Sequence, residues 1–474
     1  MTYKQTLILL AALATAAVGC AKSERGGAGV PVLLWWQIGG GLSARDAAAI
    51  EKIADYTEAK IGVRFEVKQA GWGDAGYKFK TIVNSGEYFD IMFTDLGMYN
   101  LLSRMGAYAD LSDLLGDCAP ALRAYIPESL WKGVTIDGKV FAVPTYKDSS
   151  KTVYHVWDHA LVEKYGLDIS KTSWPDLDTA FRVVKKGEGP RQYPFVLSKG
   201  SRARVFDPYD TLASGLEMLG VRADDESRTV INVLKEPAVI EKLRYLHRWY
   251  EDGIINPDAN VSESNPLYRP FFMEQGWSGV AAGWAAGAGI PRYDVQRAFG
   301  PLYSTDTIQG SMNAISASSK YKKECLEFLE LVNMDRALRD MLSFGIEGEY
   351  FHYTEDGRIH RDITDWPLVN YQLGTYFNLS VTDDNPPDYW DEVRRLNEEA
   401  ASSVMLGFVM DIEPVRNEIL ACKAVWDKYV YDLLTGASDP DVMLPRIIAE
   451  LEGAGFGAVL AEAQRQVNDA GTEN

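Results

Sequence analysis

The feature that most constrains this chain is an alternation of buried-strand and amphipathic-helix patterns that starts at Pro31. Pro31–Gln37 is an unbroken apolar run ending in Gly39-Gly40-Gly41, the pattern of a strand covered on both faces and followed by a glycine turn. Ser43-Ala44-Arg45-Asp46 then opens a helix on which Ile50, Ile53 and Tyr56 share a face and which Gly62 stops. Val63, Phe65 and Val67 alternate with polar residues as a second strand, and Asp90–Thr94 is a third, reached through a helix around Lys78–Val83. Short connections of this kind build a parallel sheet by right-handed crossovers, with a ligand crevice at the carboxyl ends of the strands. The residues beside those ends are Trp36, Gln37, Trp72, Thr94 and Asp95.

The pattern restarts between about Ser149 and Gly300, with Thr152–Trp157 strand-like, Ala160–Tyr165 helical and Trp174-Pro175-Asp176-Leu177 opening a further helix. From Lys320 the chain reads as mostly helical to its end. The N-terminus carries Lys4, the apolar run Leu7–Ala14 and small residues up to Cys20. That is the grammar of a signal peptide over 1–19, too short in its apolar part for a spanning helix. The polar, glycine-rich Ala21–Gly29 reads as a flexible tether.

The remaining length suits two domains rather than one core. With 46% hydrophobic and 24% charged residues the composition is that of a globular protein. A formal charge of −19 argues against nucleic acid and against lying flat on anionic lipid. Besides Cys20 there are only Cys118, Cys325 and Cys422, widely spaced within helix-like stretches. No zinc pattern results, and these three read as buried apolar positions. No catalytic motif is present and the five histidines are scattered, so an enzyme is not expected; a secreted glycoside-processing enzyme is the contrasting reading.

Several stretches carry a resemblance. Ala17-Val18-Gly19-Cys20 resembles the lipobox of bacterial lipoproteins, which implies lipidation of Cys20. Asp90–Asp95 with Tyr99, Gly106 and Tyr108–Leu111, and above all Ile136–Thr145, are similar to the carbohydrate-type branch of the extracellular solute-binding proteins of ABC importers. Gly345–Tyr350, Asn397, Gly407-Phe408 and Leu451–Gln466 resemble the C-terminal part of its long lipoprotein members. The resemblance implies a type II periplasmic-binding-protein-like fold, α/β, with two discontinuous lobes joined by a hinge and a helical C-terminal region. The expected lobes are 30–142 with 311–344, and 143–310 with 345–474, after a lipidated Cys20 and tether over 20–29. It also implies capture of a sugar for ABC importer permease subunits by a monomer held outside the cell by its N-terminal lipid alone, with no nucleic acid, cofactor or metal. Neutral oligosaccharide is the first expectation, acidic oligosaccharide the second, and a peptide or another small metabolite the third.

A sugar offers apolar C–H faces and a belt of hydroxyls, so its site needs flat aromatic rings and a few planar donors and acceptors. By position after strand ends, in glycine-rich loops or in segments matched to the family's cleft, the candidates are Trp36, Gln37, Asp95, Tyr99, Tyr146, Trp277, Trp284, Glu347, Tyr350 and Tyr376. Of the two tryptophans in the small-residue run Trp277–Gly287, Trp284 is preferred. Asp95 has a second reading, as the N-cap of the following helix. Lys199, Arg202 and Arg204 suit either an anionic sugar or a solvated face. Trp131, Trp174, Trp249 and Trp426 lie in amphipathic helices and read as core.

Overall fold

The computed structural model describes residues 29–201 and 203–471. The expected signal peptide, Cys20 and Arg202 therefore lie outside the described residues. In the first lobe five strands run side by side in the order Arg64–Ala70, Val32–Ile38, Ile91–Thr94, Met312–Ile315 and Ala142–Pro144. The first three are parallel, and Met312–Ile315 is antiparallel to both its neighbours. The chain therefore leaves this lobe after Pro144 and re-enters at Met312 on the same edge at which the parallel strands end. The second lobe stands over those strand ends.

The local reasons are those read from the sequence. The Ser43 side chain accepts from the Asp46 amide to start the helix Ala44–Ile61, and Gly62 ends it in a left-handed conformation at φ 73°. Arg64–Ala70 alternates buried and open positions, whereas Ile91–Thr94 is buried throughout. The core of this lobe includes Trp35, Phe65, Phe79, Ile91 and Phe328.

The second lobe has a sheet in the order Phe271–Gln275, Lys151–Asp158, Tyr293–Tyr303 and Ala401–Ser402. Its core gathers Trp157, Phe181, Phe195, Trp249, Phe271 and Trp426. Helices Trp174–Glu188, Pro237–Glu251, Arg416–Leu434, Pro440–Gly453 and Phe456–Gly471 surround it. Cys118, Cys325 and Cys422 are all buried.

Three readings differ from the structure. The run after Trp277 is a helix, Ala281–Ala288, because its alanines favour helix more than its two interior glycines oppose it. The stretch 345–388 is mostly turns with one small hairpin, Phe351–Tyr353 against Ile359–Arg361. The expected assignment of 345–474 to the second lobe also needs correction, since Leu368 and Leu373 lie in the first core and the second core resumes only at Met410. The physical cause is a set of polar ties. The Tyr350 hydroxyl donates to Asp46 at 3.1 Å, and the Gln372 carboxamide clasps both the amide and the carbonyl of Ile38 at 2.8 and 3.0 Å.

Candidate ligand site between the lobes

Two features occupy the space between the lobes. The first is a cavity of about 470 Å³, bounded by the helix Leu96–Arg104 of the first lobe, by Asp210–Ser214 and Phe408–Glu413 of the second, and by Thr305 and Asp306 of the crossing segment. A larger cavity, about 800 Å³, opens between the Thr135–Gly138 turn and the C-terminal helix. It lies away from the parallel strands, whereas the smaller one is lined by Leu96 and Gly97 just after the strand Ile91–Thr94, so the smaller one is the better candidate.

Asp95 stands at the start of the Leu96–Arg104 helix and is half-buried. Its carboxylate accepts from the Met98 amide at 3.3 Å, so it caps the helix whose first residues, Leu96 and Gly97, line the cavity. Burial raises its pKa, partly opposed by the amides of Met98 and Gly97. Burial also raises Asp210 and lifts Asp306 to about 6, despite the favourable charge of Lys151. Asp210 is held by the Ser403 hydroxyl.

The second feature is an aromatic wall. Trp277, immediately after the second lobe's edge strand, lies 5.5 Å from Tyr389 and 5.8 Å from Trp390 between ring centres. Trp390 lies 4.8 Å from Tyr376, whose backbone amide donates to the Tyr146 carbonyl at 3.0 Å. The wall is thus assembled from three distant segments. Glu392, on the helix Tyr389–Glu398, accepts from the Tyr154 hydroxyl at 2.9 Å and from the Ser278 amide at 3.1 Å, tying that helix to the second lobe. Burial, then the charge of Asp148, raises the Tyr376 phenol, and burial raises Tyr389 to about 12 with help from Asp384 and Asp148. Both phenols are therefore neutral donors at physiological pH.

The indole nitrogens of Trp277 and Trp390 are buried without a hydrogen-bond partner among the described residues, and so are the indole nitrogen of Trp36 and both polar atoms of Gln37. Buried polar groups are normally paired, so each such atom marks a place where water or a ligand hydroxyl completes the bonding.

Of the ten expected ligand residues, the structure brings Trp277 and Tyr376 to the wall; Asp95 caps the helix beside the cavity without lining it, and the Tyr146 ring packs on Tyr125 and Phe377 in the first core. Trp36 and Gln37 lie at the end of the first strand, buried but with unpaired polar atoms. Four further expectations are corrected. Tyr99 is fully buried in the first core, its hydroxyl donating to the Val134 carbonyl and accepting from the Phe141 amide. Tyr350 is spent on Asp46, under the Arg45 guanidinium 5.1 Å away. Glu347 is exposed on a turn beside Phe351. Trp284 packs edge-on against Phe272 at 5.4 Å within its own lobe, so Trp277 takes the place given to it. Tyr389 and Trp390 were missed; the sequence signal is the Pro386-Pro387 break that sets two aromatics at a helix start. Lys199 pairs with Glu263 and Arg204 with Glu274, as a solvated face would. Among the described residues no group of three or more His, Cys, Asp or Glu side chains is placed to hold a metal, and no helix is long and apolar enough to cross a membrane.

Two lobes on crossing segments, with a cavity and an aromatic wall between them, define a binding protein of the two-lobed type. The chain belongs to the bacterial extracellular solute-binding protein family, whose model matches residues 39–335. A second model, described as a domain of unknown function (DUF3502), matches 404–470. The chain is 29% identical to a carbohydrate ABC transporter substrate-binding protein of Streptococcus pneumoniae serotype 4, covering 93% of this chain and 91% of that one. It is similar in structure to the N-glycan transport solute binding protein (NgtS) of Streptococcus pneumoniae, with a TM-score of 0.83 at 26% identity over 93% of this chain and 98% of that one. The complex of NgtS with Man5GlcNAc gives a TM-score of 0.71 at the same identity, over the same shares of the two chains.

Proposed function

We propose that this protein captures an oligosaccharide between its lobes and delivers it to an ABC importer, acting as a monomer tethered outside the cell by lipid on Cys20. The observation that carries this reading is the pair of buried indole N–H donors, Trp277 and Trp390, that face each other's neighbourhood at the lobe interface without acceptors. A sugar supplies what they lack: hydroxyl oxygens to accept from them and C–H faces to lie against the rings. Tyr376 and Tyr389 extend the stacking surface. Asp95 and the strand-end pair Trp36 and Gln37 offer polar atoms on the first-lobe side. The full-length similarity to a protein solved with mannose-containing N-glycan pieces supports oligosaccharide over monosaccharide.

The test is calorimetric titration of the soluble domain from Ala21 onward with Man1GlcNAc, Man5GlcNAc and a panel of neutral and acidic oligosaccharides. Binding of at least one, accompanied by a fall in radius of gyration, is the expected result. No binding across the panel would remove the carbohydrate reading, and cleavage of a bound sugar would replace it with the glycoside-processing one. For the anchor, Cys20→Ser should release the protein from the membrane fraction.

A further inference from the structure

The hairpin Phe351–Tyr353 against Ile359–Arg361 has no part in the interlobe site. Its register sets His352 directly opposite His360, so the two imidazoles stand on the same face of the pair, with ring centres 4.9 Å apart and about half of each side chain exposed. Each ring is already oriented by a carboxylate: His352 Nδ1 lies 2.9 Å from Asp362 and His360 Nδ1 lies 2.7 Å from Asp383. The two carboxylates come from different parts of the chain. Asp383 is held in place because Arg358 donates to its backbone carbonyl and to that of Asn385, both at 2.9 Å. With Nδ1 so engaged, the nitrogen left to a ligand on each ring is Nε2, for which no hydrogen bond or ion pair occurs among the described residues. A carboxylate behind the outer nitrogen is the arrangement that fixes tautomer and raises basicity in metal-ligating histidines.

From this juxtaposition we infer that His352 and His360 form a two-histidine site for a borderline divalent cation of the zinc and copper class, bound through both Nε2 atoms with water in the remaining positions. The spacing fits. A metal about 2.0–2.1 Å from an imidazole nitrogen lies roughly 3.2 Å from the ring centre, so centroids 4.9 Å apart subtend about 100° at it. That angle suits tetrahedral or square coordination by nitrogen ligands. Magnesium and calcium, which require oxygen ligands, are excluded by the same donor set. Asp362, Asp383 and Asp384 against Arg358 and Arg361 leave the surroundings favourable to a cation.

The experiment is titration of untagged full-length mature protein with Zn²⁺ by calorimetry, without sugar present, so that its outcome is independent of the carbohydrate reading. A site lost or weakened at least tenfold in His352→Ala and again in His360→Ala is expected, with metal-free melting temperatures little changed because each half-exposed ring makes a single solvent-accessible hydrogen bond. His352→Gln and His360→Gln repeat the test if either alanine variant folds poorly. Asp362→Asn should weaken binding about tenfold, the usual effect of losing an orienting carboxylate. Cu²⁺ bound to the parent should show two nitrogen ligands by electron paramagnetic resonance. No Zn²⁺ binding by the parent, equal binding by the histidine variants, or equal competition by Mg²⁺ would each overturn the site.

Discussion

Two sets of tryptophans divide the molecule. Four indole N–H groups in the cores are paired: Trp35 with Asn313 at 2.9 Å, Trp131 with the Arg123 carbonyl at 3.1 Å, Trp249 with Asp178 at 2.8 Å and Trp426 with Glu217 at 2.6 Å, while Trp36, at the strand end, is not. Where the lobes meet, Trp277 and Trp390 are as aromatic in their surroundings but have no acceptor among the described residues. The same residue type thus serves two purposes, told apart by whether its polar atom is satisfied. A paired indole completes a fixed interior, whereas an unpaired buried one costs about 1–3 kcal/mol, which under the proposed function a sugar hydroxyl would recover.

The comparison breaks most visibly at Trp249. It is fully buried, stacked on Trp174 at 5.2 Å and bonded to Asp178, so Trp249→Ala should lower stability by about 3–5 kcal/mol in urea unfolding. Sugar affinity of the fraction that stays folded should not change. An effect near zero on unfolding would mean that the second core tolerates loss of its central ring.

Acids divide the same way. Asp178 accepts from Trp249 and Arg182, and its pKa is lowered by those bonds in spite of burial, while Asp306 beside the interlobe cavity is lifted by burial to about 6. A carboxylate whose folded pKa lies above its unfolded value favours folding only in its neutral form. Its penalty therefore appears as pH rises from about 4 to 6 and is complete above. At roughly 1.4 kcal/mol per unit, Asp306→Asn should raise stability at pH 7.5 by of order 2–3 kcal/mol and leave it unchanged at pH 4. Equal effects at both pH values would show that burial of the charge is not what the position costs.

At the wall the readout moves from stability to affinity. Trp277→Ala should weaken oligosaccharide binding at least about tenfold, or 1.4 kcal/mol, with a smaller fall in melting temperature than Trp249→Ala. The reverse order would return Trp277 to the core.

How far the sequence carried these distinctions follows from the range of the contacts involved. Val32–Ile38, Arg64–Ala70 and the helix between them were legible because apolar runs, alternation and a serine cap are local signals. Trp131, Trp249 and Trp426 were legible as core because helical spacing put them on apolar faces. The wall was not, because Tyr389 and Trp390 reach Trp277 only through the return of the chain from the first lobe to the second, and nothing nearby in sequence encodes that meeting. Trp284 was misplaced for a local reason: the small residues of Trp277–Gly287 suit close approach of a ligand, whereas the alanines among them make a helix that turns the ring onto Phe272. Tyr350 and Gln372 hold 345–373 to the first lobe by side-chain hydrogen bonds to distant residues, which leave no periodic trace in a sequence.

The smallest and sharpest test is Trp390→Phe against Trp249→Phe. Both changes keep a flat apolar ring and remove an indole N–H. At Trp249 the loss strands the Asp178 oxygen that accepted it, so stability should fall by about 1–3 kcal/mol with sugar affinity untouched. At Trp390 no partner among the described residues is stranded, and the variant without ligand should be as stable as the parent or slightly more so, because a buried unpaired donor has gone. Its sugar affinity should fall by about 0.5–1.5 kcal/mol, the net worth of one hydrogen bond, which calorimetry reads as roughly a two- to tenfold weaker dissociation constant. The two substitutions thus have the same chemistry and opposite consequences. If Trp390→Phe destabilised the free protein and left affinity alone, its indole would be an ordinary core donor and the contrast between the two sets of tryptophans would fail.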